Sequence, residues 1–258
     1  KVSPYINGKV KNQDSNWDDP FWEHLIDYSV GKSAFLLSKT NKTNFNVCTY
    51  MHADLLLNGE EVSCREEPFK DELKLGYNAE IELVKGDKLT LSKHGGYTVS
   101  LNHSENKLKQ VAEEKINFAR AKGFVGLLKE HKQQWHTIWK MSDIVIKGDL
   151  SAQQGIRFNI FQLNQTYTGK DSRLNIGPKG FTGEKYGGSA YWDTEAYCLP
   201  FYMVTKNANV ARNLLKYRYD QLPKAIENAK KLGFENGAAL YPMAVSYTHL
   251  TLPTIRSV

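Results

Sequence analysis

The sequence predicts a multidomain β + α protein: an N-terminal β-sandwich, a helical linker and a helical third part. Three observations carry this. Over the first hundred residues, apolar and polar side chains alternate between clusters of Asn, Gly and Asp. Near Asn106 the apolar spacing lengthens to that of a helix. After Asp149, helical segments follow one another without strands between them, which suggests a bundle or an α/α barrel. The expected divisions are residues 1–105, 106–148 and 149–244, with 245–258 set apart.

In the β part, FNVCTYM places Phe45, Val47, Thr49 and Met51 on one face of a strand. EIELVKGDKLTL predicts two short strands around a turn at Lys85-Gly86-Asp87. The sandwich is expected to lack its first strands. In the linker, Leu108, Val111, Ile116, Ala119, Phe124 and Leu128 recur at helical spacing, and Gly123 and Gly126 weaken one continuous helix. Trp135, Ile138 and Trp139 read as a packed helix face. Ser151 is the expected N-cap of the next helix. A glycine-rich loop runs from Thr168 to Gly188, and YWDTEAYCLPFYMVT follows as an apolar helix. Asn209 is the expected cap of a long third helix ended by Gly233, with Val210, Leu214, Leu222, Ala225, Ile226 and Ala229 on one side. Phe158, Leu163, Leu214 and Ile226 are expected to present apolar faces left open on these helices.

The ends are unlike the middle. The chain starts KVSPYINGKV, without an initiator Met or an apolar leader. Residues Val245–Thr254, VSYTHLTLPT, resemble one translated frame of a transposase adapter used in sequencing libraries. The expectation is that natural sequence stops near Ala244 and that the chain is a fragment. The structural alternative is a Thr-rich strand ended by Pro253.

Composition narrows the function classes. A chain of 258 residues with 41% hydrophobic and 24% charged side chains is neither disordered nor fibrous. It has no run of eighteen apolar residues to span a membrane. The net charge of +6 is spread along the chain and reads as a solvated surface, not as a nucleic-acid site. Cys48, Cys64 and Cys198 are odd in number and lack metal-ligand spacing, which points to a reducing cytosol.

The segment richest in chemistry is GEKYGGSAYWDTE, residues 183–195. A sugar offers an apolar C–H face and a ring of hydroxyls, so it asks for a flat aromatic surface beside charged partners. Trp192 next to Asp193, with Glu195 as a possible further sugar contact, supplies both. The plainer reading is a core Trp with acids favoured at a helix start by the dipole. Gly177, Gly180 and Gly183 lack the Lys-Ser/Thr of a phosphate loop. His131 and His136 lack zinc-site spacing, Cys198 sits in an apolar run, and Ser189 lacks a nucleophile elbow.

RFNIFQLNQTYTGKDSRLNIGPKGFTGEKYGGSAYWDTEAYCLPFYMVT resembles the start of the catalytic domain of glycoside hydrolase family 65, and the NGAALYPM segment agrees. The resemblance runs from Lys1 to about Ala244. It implies an N-terminal β-sandwich, a helical linker and the opening helices of an (α/α)6 barrel. It also implies inverting phosphorolysis of maltose to β-D-glucose 1-phosphate and glucose, with inorganic phosphate as co-substrate and no cofactor or metal. Relatives acting on trehalose and kojibiose tend to carry Arg-Gly-His where this chain has Gly187-Gly188-Ser189, which favours maltose. The family's glucosyl-binding Trp-Asp pair corresponds to Trp192 and Asp193. Its general acid and phosphate-binding residues belong to later segments, so no catalytic residue is expected here. The intact parent is expected to be a cytoplasmic homodimer. Alternatives are another α-glucosyl disaccharide, a hydrolase on the same barrel, or a non-catalytic carbohydrate-binding module.

Overall fold

The computed structural model describes residues 1–9, 22–41, 44–176, 190–242 and the backbone of 244–245. It divides into two compact units, and the chain passes from the first to the second after Lys132. Gly177, Gly180, Gly183, Gly187 and Gly188 of the expected glycine-rich loop, Ser189 and the tail from Ser246 lie outside the described residues.

The first unit is a sandwich of two antiparallel sheets. Strands β1 (Tyr5–Asn7), β7 (Lys74–Ala79) and β6 (Glu66–Asp71) form the small sheet in that order. In the large sheet, β2 (Trp22–Val30) pairs with β3 (Ser33–Thr40) and β3 with β4 (Asn46–Leu57). The other edge of β4 is taken along nearly its whole length by β8 (Leu89–Val99), from Val47↔Val99 to Leu57↔Leu89. The short β5 (Glu60–Glu61) pairs only with the last two residues of β4.

Between the sheets, Ile6, Ala34, Leu36, Met51 and Leu75 form one cluster, and Ala53, Leu55, Tyr77 and Ala79 a second. Tyr77 is fully buried and its hydroxyl donates to the Ala53 carbonyl at 2.7 Å, so its polar end is satisfied. Burial pushes that hydroxyl up to about 12. Gly76 fits because the backbone of Pro4 and Tyr5, at its paired position on β1, comes too close for a side chain. A Cβ there would stand 2.1 Å from the Pro4 carbonyl oxygen.

The expected period-two pattern of β4 holds, but its opposite face is buried as well. Cys48 and Tyr50 pack with Phe35 against Leu108, Ala112 and Ile116 of helix α1 (Leu108–Ser142). Each large apolar side chain so covered contributes about 1.5–3 kcal/mol. The helix therefore holds to the sheet by packing more than by its own propensity.

Gly123 adopts φ 66°, ψ 168°, outside helical values, and breaks α1 where the sequence weakened it. The expected strand over Glu80–Leu83 does not form. β7 ends at Ala79, and Asp87 instead takes the Val84 amide at 2.9 Å to close the predicted turn. Ile81 packs beside the second cluster without a strand partner.

On the flank of the large sheet, Ser33 Oγ lies 2.8 Å from His52 Nδ1, and His52 Nε2 lies 3.0 Å from Asp54. Arg120 of α1 grips the same carboxylate with Nε and Nη2, at 3.0 and 3.2 Å. The sequence Ser-His-Asp has the composition of a nucleophile relay. Its carboxylate, however, is committed to fastening α1 to β4.

Burial alone would raise the Asp54 carboxyl, but Arg120 and His52 outweigh it and hold it below the usual carboxylate range. The folded state therefore binds fewer protons here than the unfolded chain. This stabilisation is complete above the unfolded carboxylate value and is lost as pH falls through the lower folded one. The urea midpoint of the sandwich should drop between about pH 6 and about pH 3. Asp54→Asn should cost about 2 kcal/mol at neutral pH and flatten that dependence. A variant with the wild-type pH slope would remove Asp54 from the account.

The second unit is helical. Asp149, not Ser151, caps α2 (Leu150–Thr166): its side chain accepts from the Ala152 amide at 2.9 Å. An Asp two residues earlier does the same work and lets Leu150 start the helix. The apolar segment after Trp192 is not one regular helix. Thr194–Cys198 form a π-helical turn, with Leu199 N donating to the Thr194 carbonyl, and α3 (Leu199–Thr205) continues from it.

Asn207, not Asn209, caps the next helix, and the expected long helix is two: α4 (Ala208–Tyr219) and α5 (Leu222–Lys231). Pro223 has no amide to donate to the preceding turn, so the chain breaks before it. Gly233, at φ 83°, ends α5 as expected. Its amide and that of Phe234 return to the carbonyls of Lys230 and Ala229.

Trp135 stacks on Phe161 at 5.0 Å and lies 6.3 Å from Trp139, the packed face its spacing suggested. Of the apolar residues expected to stand open, Phe158 is 57% exposed. Leu214 is instead fully buried among Tyr167, Ile176 and Tyr202.

Candidate functional site

The two-residue strand β9 (Ala190–Tyr191) pairs antiparallel with β10 (Ala244–Val245). This pins the chain immediately before Trp192. Ala190 is buried against Tyr217 of α4. Immediately after the Trp-Asp pair, Thr194 is buried and its hydroxyl donates to the Ile176 carbonyl at 2.9 Å. Trp192 and Asp193 are thus the exposed crest of a turn fixed on both sides, and Trp192 remains 61% exposed. A large indole left open on a braced turn is the observation that asks for a ligand.

Trp192 rims a cavity of about 460 Å³ that is also lined, among the described residues, by Glu195, Ala196, Arg218, Tyr241 and Pro242. That volume lies in the range of small-molecule sites. Arg218 Nε donates to Glu195 Oε1 at 2.9 Å and Nη2 to Oε2 at 3.3 Å. Asn175 Nδ2 stands 3.5 Å from the same Oε1. Tyr241 donates its hydroxyl to the Arg218 carbonyl at 3.2 Å, and the Leu240 amide bonds to the Ala225 carbonyl at 2.9 Å. Burial pushes the Tyr241 and Tyr217 hydroxyls up, so both stay protonated near neutral pH.

Of the three residues singled out in the sequence, the structure brings Trp192 and Glu195 to one cavity. Asp193 is exposed beside it and is not among the lining residues. No described residue hydrogen-bonds the Asp193 carboxylate. Glu195, by contrast, is committed to Arg218.

Cys198 is half-buried in the helical core, and burial raises its thiol, as suits a packing residue. His131 and His136 are exposed on α1. Arg218 and Tyr241 have no local sequence signal of a site. Arg218 reads as a cation at a helix end, and only the fold brings it to Glu195.

A larger cavity of about 1150 Å³ in the first unit is lined by Asp54, Leu91, His94, Arg120, Phe124 and others. Several of its polar groups already pair with protein: Asp54 with Arg120, Ser92 with His94, Glu61 with Lys32. Size alone does not make it the better candidate.

Residues 1–138 match the glycosyl hydrolase family 65 N-terminal domain, and residues 157–249 match the central catalytic domain of that family. The chain belongs to glycoside hydrolase family 65. It is 42% identical over 245 residues to maltose phosphorylase of Bacillus subtilis (strain 168), covering 95% of this chain and 31% of that protein. It is 37% identical to an alpha,alpha-trehalose phosphorylase of Thermoanaerobacter brockii, covering 92% and 31%. Among solved structures, the “Putative kojibiose phosphorylase from human microbiome” superposes with a TM-score of 0.81 at 27% identity, covering 94% of this chain and 31% of that one.

The chain thus spans about 31% of the length of these family 65 relatives. Among the described residues no helix is long and apolar enough to cross a membrane.

Proposed function

We propose that the enzyme carrying this chain is an inverting disaccharide phosphorylase. Maltose and inorganic phosphate are its substrates, β-D-glucose 1-phosphate and glucose its products, and no cofactor is needed. The observation that carries this reading is the exposed Trp192 on its braced turn, beside Asp193 and a largely apolar cavity with the Glu195–Arg218 ion pair in its wall, in a family 65 chain whose curated relatives include maltose and trehalose phosphorylases. Maltose is favoured by the 42% identity to the maltose enzyme and by the sequence Gly187-Gly188-Ser189.

In this mechanism Trp192 offers its face to the C–H side of the glucosyl unit, and Asp193 accepts hydrogen bonds from sugar hydroxyls. Asp193 works as a carboxylate, because an ionised acceptor makes the stronger bond. An inverting hydrolase needs a second carboxyl about 6.5–9.5 Å from its acid to activate water. Phosphate arrives already anionic, so the base is dispensable and only an acid on the leaving oxygen is required. The family resemblance assigns that acid, and the phosphate site, to segments beyond this chain. A cytosolic setting suits the free thiols Cys48, Cys64 and Cys198.

The test is phosphate dependence. The enzyme at the relatives' full length should consume maltose only when phosphate is present and release one β-D-glucose 1-phosphate per glucose. Glucose release without phosphate would identify a hydrolase. Sugar binding without turnover would identify a binding module.

A further inference from the structure

The polar wall of the Trp192 cavity is an ion pair whose two halves have different work to do. Glu195 and Arg218 have side chains only 21% and 15% exposed. A guanidinium carries five N–H donors, and Glu195 takes two of them. No acceptor among the described residues takes the other three. The carboxylate is in the opposite condition. Both its oxygens face Arg218, and Asn175 approaches one of them.

The pair also joins separate stretches of chain: Glu195 lies three residues after Trp192, while Arg218 closes the last turn of α4 with its carbonyl held by Tyr241. A sugar hydroxyl both donates and accepts. Asp193 supplies acceptors only, so a glycosyl site built around it still needs a donor.

We propose that Arg218 is a sugar-binding residue that donates N–H groups to glycosyl hydroxyls in the Trp192 cavity, and that Glu195 is a positioning residue that aims it. This rests on reading the cavity as a glycosyl site. A fork locked by a carboxylate loses little freedom when sugar arrives, which is the benefit of pre-organisation. Glu195 is not itself a sugar contact.

The experiment uses the full-length enzyme in both directions: maltose with inorganic phosphate gives KM for sugar and for phosphate, and glucose 1-phosphate or its monodeoxy analogues with glucose give the hydroxyl penalties. Arg218→Lys keeps the charge and loses the fork. It should raise KM for the sugar about tenfold or more and leave KM for phosphate unchanged. It should also erase the penalty that wild type shows for the one analogue lacking the hydroxyl served by Arg218. Glu195→Gln should raise the same KM severalfold with kcat little changed.

A simple brace would not alter the pattern of deoxy penalties, so wild-type penalties in Arg218→Lys would overturn the proposal. A rise confined to KM for phosphate would overturn it too. If Arg218→Lys fails to fold, Glu195→Gln decides, and an unchanged sugar KM in that variant is the overturning result. Trp192→Ala and Asp193→Ala serve as controls. If both leave sugar kinetics untouched, the cavity is no glycosyl site. If they impair it while the Arg218 penalties stand, only the present proposal fails.

Discussion

Asp193→Ala in the full-length enzyme should lower kcat/KM for maltose by roughly 2 kcal/mol or more, about thirtyfold, because sugar hydroxyls lose a charged acceptor in the closed complex. Trp192→Ala should lower it as well, by removing the flat surface for the C–H face. That indole is held in place by the packing of Ala190 on Tyr217 before it and the Thr194–Ile176 bond after it. Its loss removes contact area without loosening the turn, so the unfolding midpoint of Trp192→Ala should stay near wild type. Steady-state kinetics on both variants check the assignment, and wild-type values would withdraw it.

The 258-residue chain made by itself should release no glucose 1-phosphate from maltose and phosphate. The proposed acid and phosphate site are assigned to segments it does not contain. The helical unit also leaves much apolar surface open: Leu150 is 84% exposed, Tyr197 78%, Met203 64% and Val204 84%. Each such side chain forgoes about 1.5–3 kcal/mol of burial, against a typical domain stability of about 5–15 kcal/mol. The isolated chain should bind hydrophobic dyes and associate through these helices, while the sandwich, with both sheets packed, keeps its structure. A coupled glucose 1-phosphate assay on the purified chain decides the matter. Measurable product would place the catalytic machinery within these residues.

The fold class was legible because patterning and architecture agree: period two in β4, helical spacing from Leu108, glycine at the α1 break and at the end of α5. The misread details were competitions between equivalent local signals. Asp149 and Ser151 are both good caps, as are Asn207 and Asn209, and a two-residue difference is invisible to propensity. The false strand at Glu80–Leu83 alternates correctly, but the Asp87 turn competes for its backbone.

The site was legible only in part. Trp192 and Asp193 announce themselves through chemistry clustered in sequence. Glu195 carried the same acidic signal, yet its partner lies 23 residues away on another helix, so its commitment to Arg218 emerges only on folding. Tyr241, which holds the Arg218 backbone, shows nothing locally that distinguishes it from a core tyrosine.

Strand β4 also constrains how the chain can be made. Its run NVCTYMHADLLL finds β3 at once through a nearby hairpin, but its second edge waits for β8, which is complete only at Val99. At ordinary synthesis rates of about 5–20 residues per second, that edge stays unsatisfied for roughly 2–8 s after Leu57 is joined. An apolar β-rich run of this length, open on one side, invites pairing with a neighbouring nascent chain. His52 and Asp54 interrupt the run with polar groups. They would guard the ribosome-bound intermediate from aggregation before Arg120 has been synthesised to claim Asp54.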